Sequence, residues 1–111
     1  MDLMKRLHVA LAVKNLETSI AEYTKILSSK PLVIVKDQYA LWRTDEVNFS
    51  VSEKPDEAGQ LRHLGFEDPQ TLEMTVTHDS DGFIWERFTA EQQRQEILEL
   101  YPEADYPEKS L

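Results

Sequence analysis

Seven residues near the start, Leu7-His8-Val9-Ala10-Leu11-Ala12-Val13, constrain the fold more than any other stretch of the chain. Leu7, Val9, Leu11 and Val13 recur with period 2, which specifies a half-buried strand. The opposite face carries His8, Ala10 and Ala12, so it is not a charged solvent face. Small residues there leave a concave space beside the sheet, and one imidazole looks into it. A second stretch, Leu61-Arg62-His63-Leu64-Gly65-Phe66-Glu67, resembles the first, with His63 and Gly65 sharing a face as His8 and Ala10 do. This weak repeat divides 111 residues into two halves of one domain, a length that leaves no room for a second independent core.

Between the two His strands the pattern changes to helix and then to short strands. Asn15 is a good N-cap for an amphipathic helix over Leu16–Leu27, with Leu16, Ile20, Tyr23, Ile26 and Leu27 on one stripe. Ser28-Ser29-Lys30-Pro31 ends it, because the residue before a proline is biased away from helical backbone. Strands over Leu32–Lys36, Tyr39–Arg43 and Val47–Ser52 follow, joined by the polar turns Asp37-Gln38 and Thr44-Asp45-Glu46. Glu53–Gln60 is the loop between a first module, 1–54, and a second, 60–101. The second half predicts strands over Leu72–Thr77 and Phe83–Phe88 and a helix over Ala90–Tyr101. Thr89 and Gln92 stand at capping-box spacing before that helix. Residues 102–111 read as a loosely held acidic tail.

Composition excludes several function classes. Without cysteine there are no disulfides, thiolate nucleophiles, zinc fingers or iron–sulfur clusters. A formal net charge of -9 opposes binding to nucleic acid or anionic lipid. No apolar run reaches the roughly 20 residues of a membrane span, and none follows the first residues as in a signal peptide, so a cytoplasmic protein is expected. No phosphate-binding loop, dinucleotide glycine motif or nucleophile elbow is present, so neither nucleotide nor flavin is expected. Asp79-Ser80-Asp81-Gly82 lacks the further ligands of a calcium loop and reads as a turn, with His78 solvated beside it. Trp42, Trp85, Phe49 and Phe66 are core residues first and pocket aromatics second. Asn48, Ser50 and Ser52 alternate with Val47, Phe49 and Val51, as the wet face of a sheet or as ligand contacts.

The segments LHVALAVKNLETSIAEYTKIL, LRHLGFE and HDSDGFIWERFT, in that order, resemble the vicinal oxygen chelate superfamily, which includes glyoxalase I, fosfomycin-resistance proteins, extradiol dioxygenases and bleomycin-binding proteins. The resemblance implies an α+β fold: a βαβββ module of glyoxalase type, then a shortened second module with a C-terminal helix. It implies curled sheets forming a cup around a divalent metal. The family's ligand positions fall on His8, His63 and Glu86. The fourth, a glutamate in glyoxalase I, falls on the face of Ser50. Glu86 shares its face with Ile84 and Phe88, and period alone does not say which face is concave.

Imidazole and carboxylate ligands together suit zinc, manganese, iron, nickel or cobalt, and three protein ligands leave positions open for a substrate with two adjacent oxygens. Asn48, Ser50 and Trp42 are the expected ligand-pocket residues, and Glu53 or Glu67 is a candidate base. Two departures narrow the activity. Ala10 stands where fosfomycin-resistance proteins carry a threonine, and Phe66–Met74 has no room for the crossing helix of a complete module. Either the helix at Ala90–Tyr101 covers the sheet face so exposed, or a partner chain does, and a homodimer is expected. The competing functions are a metal-dependent lyase, transferase or dioxygenase, a metal-free protein sequestering a small hydrophobic or cationic molecule, and a non-catalytic dimeric scaffold.

Overall fold

The computed structural model describes residues 4–107, and their chain order is β1 (Arg6–Val13), α1 (Leu16–Leu27), β2 (Val33–Val35), β3 (Tyr39–Arg43), β4 (Val47–Glu53), a 3-10 turn (Pro55–Glu57), β5 (Leu61–Glu67), β6 (Thr75–His78), β7 (Ile84–Phe88) and α2 (Ala90–Leu100). The protein is α+β, and its strands form one mixed sheet in the order β2-β3-β4-β1-β5-β7-β6. β1 runs parallel to β4 and antiparallel to β5, and β5 in turn runs parallel to β7. Outward from the β1–β5 seam each half therefore places a parallel strand and then an antiparallel one. The second half has one strand fewer than the first, and its helix follows its last strand instead of linking its first two. No helix among the described residues is long and apolar enough to cross a membrane.

Local chemistry sets the element ends. Asn15 accepts a hydrogen bond from the Thr18 amide at 2.8 Å, and Ser28 closes α1 in the left-handed region at φ 50°. Glu53 adds a second N-terminal acceptor, taking the Leu16 amide at 2.8 Å, so this candidate base is a helix cap. Thr89 and Gln92 complete the capping box of α2. Asp79 accepts from the Asp81 and Phe83 amides and from the Trp85 indole, each at 3.0 Å, which makes 79–82 a turn.

Both faces of the sheet bury side chains, each under a different helix. α1 packs Leu16, Ile20, Tyr23 and Leu27 over Val13, Ala40, Trp42, Phe49 and Val51. On β1 the side with His8, Ala10 and Ala12, expected not to be a charged solvent face, is buried at 1–2% exposure, whereas Leu7 on the other side is 42% exposed. The reason is α2. It does not cover the bare outer face of the second half; it lies inside the cup, where Ile97 packs on Val33, Val35, Tyr39 and Leu41. Ladder register puts Leu41 beside Ser50 and Ser50 beside Ala10, so this is the histidine side of the sheet. The expected loose tail is likewise tied down as far as Tyr106, which is 6% exposed in the same cluster, while 108–111 lie outside the described residues.

Candidate metal centre

His8 on β1, His63 on β5 and Glu86 on β7 converge on the concave face. Register explains how three strands aim at one point. His8 pairs with Gly65 and Gly65 with Glu86, so these three form one row across the sheet, and His63 pairs with Ala10 in the neighbouring row. Gly65 is required by close approach: a Cβ there would stand 2.0 Å from the Glu86 carbonyl oxygen. One donor atom from each of His8, His63 and Glu86 lies within 4.8 Å of the others, and the group could hold a metal ion. The His63 Nε2 to Glu86 Oε1 distance is 3.4 Å and the His63 Nε2 to His8 Nε2 distance is 2.9 Å. Two donors on a tetrahedral zinc at about 2.0–2.1 Å stand about 3.3 Å apart, close to the His63–Glu86 distance of 3.4 Å and a few tenths of an ångström above the His8–His63 one.

A buried network decides which nitrogen of His8 is available. Glu67 lies between Arg6 (2.9 Å) and Arg43 (2.7 Å). Burial alone would push its carboxyl up, but hydrogen bonds from Arg43 and Asn48 and the charges of Arg43 and Arg6 outweigh that and hold it below the usual range. An ionised carboxylate only accepts, so the Asn48 contact at 3.0 Å is donated by Nδ2, which fixes the amide orientation. Gln93 of α2 pairs reciprocally with the same amide, at 2.7 and 3.1 Å. His8 Nδ1 then faces two oxygens of Asn48, Oδ1 at 2.9 Å and the carbonyl at 3.1 Å. Both accept, so Nδ1 carries the proton and the Nε2 lone pair points at His63. A ligating imidazole is commonly oriented through its other nitrogen in this way.

Electrostatics favour neutral rings. Burial lowers His8, against the raising effect of its Asn48 hydrogen bonds. Burial, then the charges of His8 and Arg62, push His63 down to about 4. Glu86 is raised by burial and by the charge of Glu96. Two neutral imidazoles and a carboxylate disfavoured as a bare anion are a donor set that a cation would relieve.

The group opens on a cavity of about 640 Å³, within the range of small-molecule sites, whose wall includes Tyr39, Ser50, Ser52, Arg62, Phe88, Glu96, Ile97 and Tyr101. Of the expected pocket residues only Ser50 lines it. Asn48 is fully buried behind His8. Trp42 faces the other way, packed under α1, because Tyr39–Arg43 is apolar on both faces and gives no sign of its orientation. Neither candidate base is placed for proton transfer: Glu53 caps α1, and Glu67 is locked between two arginines. The residues that pattern reading missed are Gln93 and Arg62. Gln93 is a polar position in a helix with many polar positions, and Arg62 carries the wrong parity for the histidine face. No protein-family model matches the chain, and a search of curated proteins finds no relative.

Proposed function

We propose that the protein is a divalent-metal protein of the vicinal oxygen chelate kind, acting as a lyase, transferase or dioxygenase on a small molecule that carries two adjacent oxygens. The observation that carries this reading is the meeting of His8, His63 and Glu86 donor atoms at the wall of a substrate-sized cavity. The strand order, repeated outward from β1 and β5 with α1 crossing only in the first half, supports a complete module followed by a shortened one. Zinc, manganese, iron, nickel or cobalt suits the ligands, and when bound the ion supplies Lewis-acid stabilisation of charge developing on a substrate oxygen. His8 and His63 hold it with neutral nitrogens, and Glu86 contributes the single negative charge. Glu96, on the cavity wall, is the carboxylate we assign to proton transfer in place of Glu53 and Glu67, which are held elsewhere. The bare outer face of the second half supports a homodimer.

Elemental analysis of the purified protein, with zinc, manganese, nickel and cobalt titrations, tests the centre. The expected result is one ion per chain, with affinity falling by about 100-fold or more in His63→Ala and Glu86→Gln. Wild-type protein that takes up no ion, or variants that bind as tightly as wild type, would overturn it. Metal-free protein stabilised against heat by a small ligand alone would return the sequestration role.

A further inference from the structure

We propose that Arg62 is an oxyanion-binding residue, holding the carboxylate or phosphate group of the small molecule that occupies the cavity. This rests on the reading of the cavity as a ligand site and names the class of ligand it takes. Strict alternation along β5 would put Arg62 on the face opposite His63. The ladder prevents that: Ala10 pairs with His63 but Leu11 pairs with Leu61, which leaves Arg62 as the extra residue of a β-bulge. A bulge of this kind re-aims a side chain, and such features are over-represented beside functional sites. Arg62 consequently lies on the concave side, where its Nη1 donates to Ser52 Oγ at 3.0 Å and it lines the cavity together with His63 and Glu86.

Its charge is the second observation. The chain has 21 acidic residues against 12 basic ones. Among the described residues Arg6, Arg43, Arg87 and Arg94 each make an ion pair with a carboxylate. Arg62 makes none, although Glu57, Glu86 and Glu96 line the same cavity. An arginine left without a carboxylate in so acidic a protein keeps most of its five donors for something else. Its planar fork matches a carboxylate or phosphate in two parallel hydrogen bonds, and the Ser52 hydroxyl stands alongside as a further donor. Lys54 adds a second cation to the cavity wall. Arg62 directly precedes His63 on β5 and lines the cavity with it and with Glu86, which places the oxyanion subsite next to the three-ligand group. The ligand class is a small acid with its oxyanion at Arg62 and its adjacent oxygens at the centre.

Isothermal titration of the protein as purified with succinate, inorganic phosphate and neutral succinamide tests this, alongside zinc titration of the same samples. Wild type is expected to bind succinate or phosphate and not succinamide, the two anions telling which oxyanion the site prefers. Arg62→Gln should weaken that binding by about 10- to 100-fold, with zinc uptake retained, and Arg62→Lys should recover only part because it keeps charge without the fork. Should Arg62→Gln fail to fold, the Arg62→Lys comparison still decides. Wild type that binds neither anion, or Arg62 variants that bind as wild type does, would overturn the proposal. Loss of anion binding in Arg62→Gln from a protein that takes up no zinc would sink the metal centre and keep this site, whereas zinc uptake without anion binding would do the reverse.

Discussion

His63 shows how burial at one residue becomes a property of the whole chain. Its ring is about 18% exposed and its pKa is pushed from 6.5 down to about 4 by burial and then by the charges of His8 and Arg62. In the metal-free protein the unfolded chain binds a proton that the folded ring refuses. Stability is therefore complete above pH 6.5 and is lost as the pH falls from 6.5 towards 4, by on the order of 2–3 kcal/mol. Glu86, raised above 4.5 by burial and Glu96, works in the opposite sense, its contribution falling as the pH rises from 4.5 to its folded value. Comparison with His63→Ala isolates the imidazole: the urea midpoint of chelated wild type should drop more steeply between pH 6.5 and 4.5 than that of the variant. Equal slopes would mean that His63 does not enter the fold as a buried neutral ring. The three residues of the candidate centre were legible in sequence because the His strands repeat and the resemblance supplies Glu86. Arg62 was not, since alternation assigns it to the wrong face and a bulge leaves no mark in residue types. Asn48 was legible as a polar residue facing the cup, but not as the group behind His8, because Glu67, Arg6, Arg43 and Gln93 come together only when four distant segments pack.

At the scale of elements, the centre depends on how closely β5 and β7 approach. Gly65 lies in the row between His8 and Glu86, and a methyl group there would meet the Glu86 carbonyl at 2.0 Å, its carbon at 2.8 Å and its amide nitrogen at 2.9 Å. These are backbone atoms, so relief requires the strands to part and the ladder to break. Gly65→Ala is expected to cost about 3 kcal/mol and to weaken zinc binding as Glu86 is carried away from both imidazoles. Gly59→Ala is the matched control: it has φ 90° and nothing within 4 Å, so backbone strain of about 1–2 kcal/mol is its only penalty and zinc binding should be untouched. Urea unfolding and zinc titration of both variants check this, and a Gly65→Ala protein with wild-type zinc affinity would contradict the described approach. The pairing of His63 and Gly65 on one face was readable from alternation. The need for glycine was not, because it comes from a neighbour across a parallel ladder.

For the whole molecule, the order of strands and helices followed from pattern, but the layer each helix joins did not. α2 has apolar residues enough for one stripe, and either sheet face would accept them. What places it in the cup is the docking of Ile97 and Tyr106 onto Val33, Val35, Tyr39 and Leu41, together with the Gln93–Asn48 amide pair. That choice leaves the outer face of the second half without a helix. Phe66 and Trp85 stack there with centroids 6.3 Å apart, Lys5 and Arg87 lie against the Phe66 ring at 4.7 and 5.2 Å, and Leu7 and Phe83 are 42% and 51% exposed. The equivalent face of the first half is covered by α1, and the chain between β5 and β6 is too short to supply a counterpart. Large apolar side chains grouped on one face favour association, and two cations at the edge of this one would meet a chain of net charge -9. A second copy of the chain is therefore the expected cover. Light scattering after size-exclusion chromatography should give the mass of a dimer, and Phe66→Glu, which sets a charge in the middle of the ring stack, should shift the protein toward monomer without changing zinc uptake. A wild-type protein that elutes as a monomer at every concentration would leave this face to solvent and remove the homodimer from the reading of the fold.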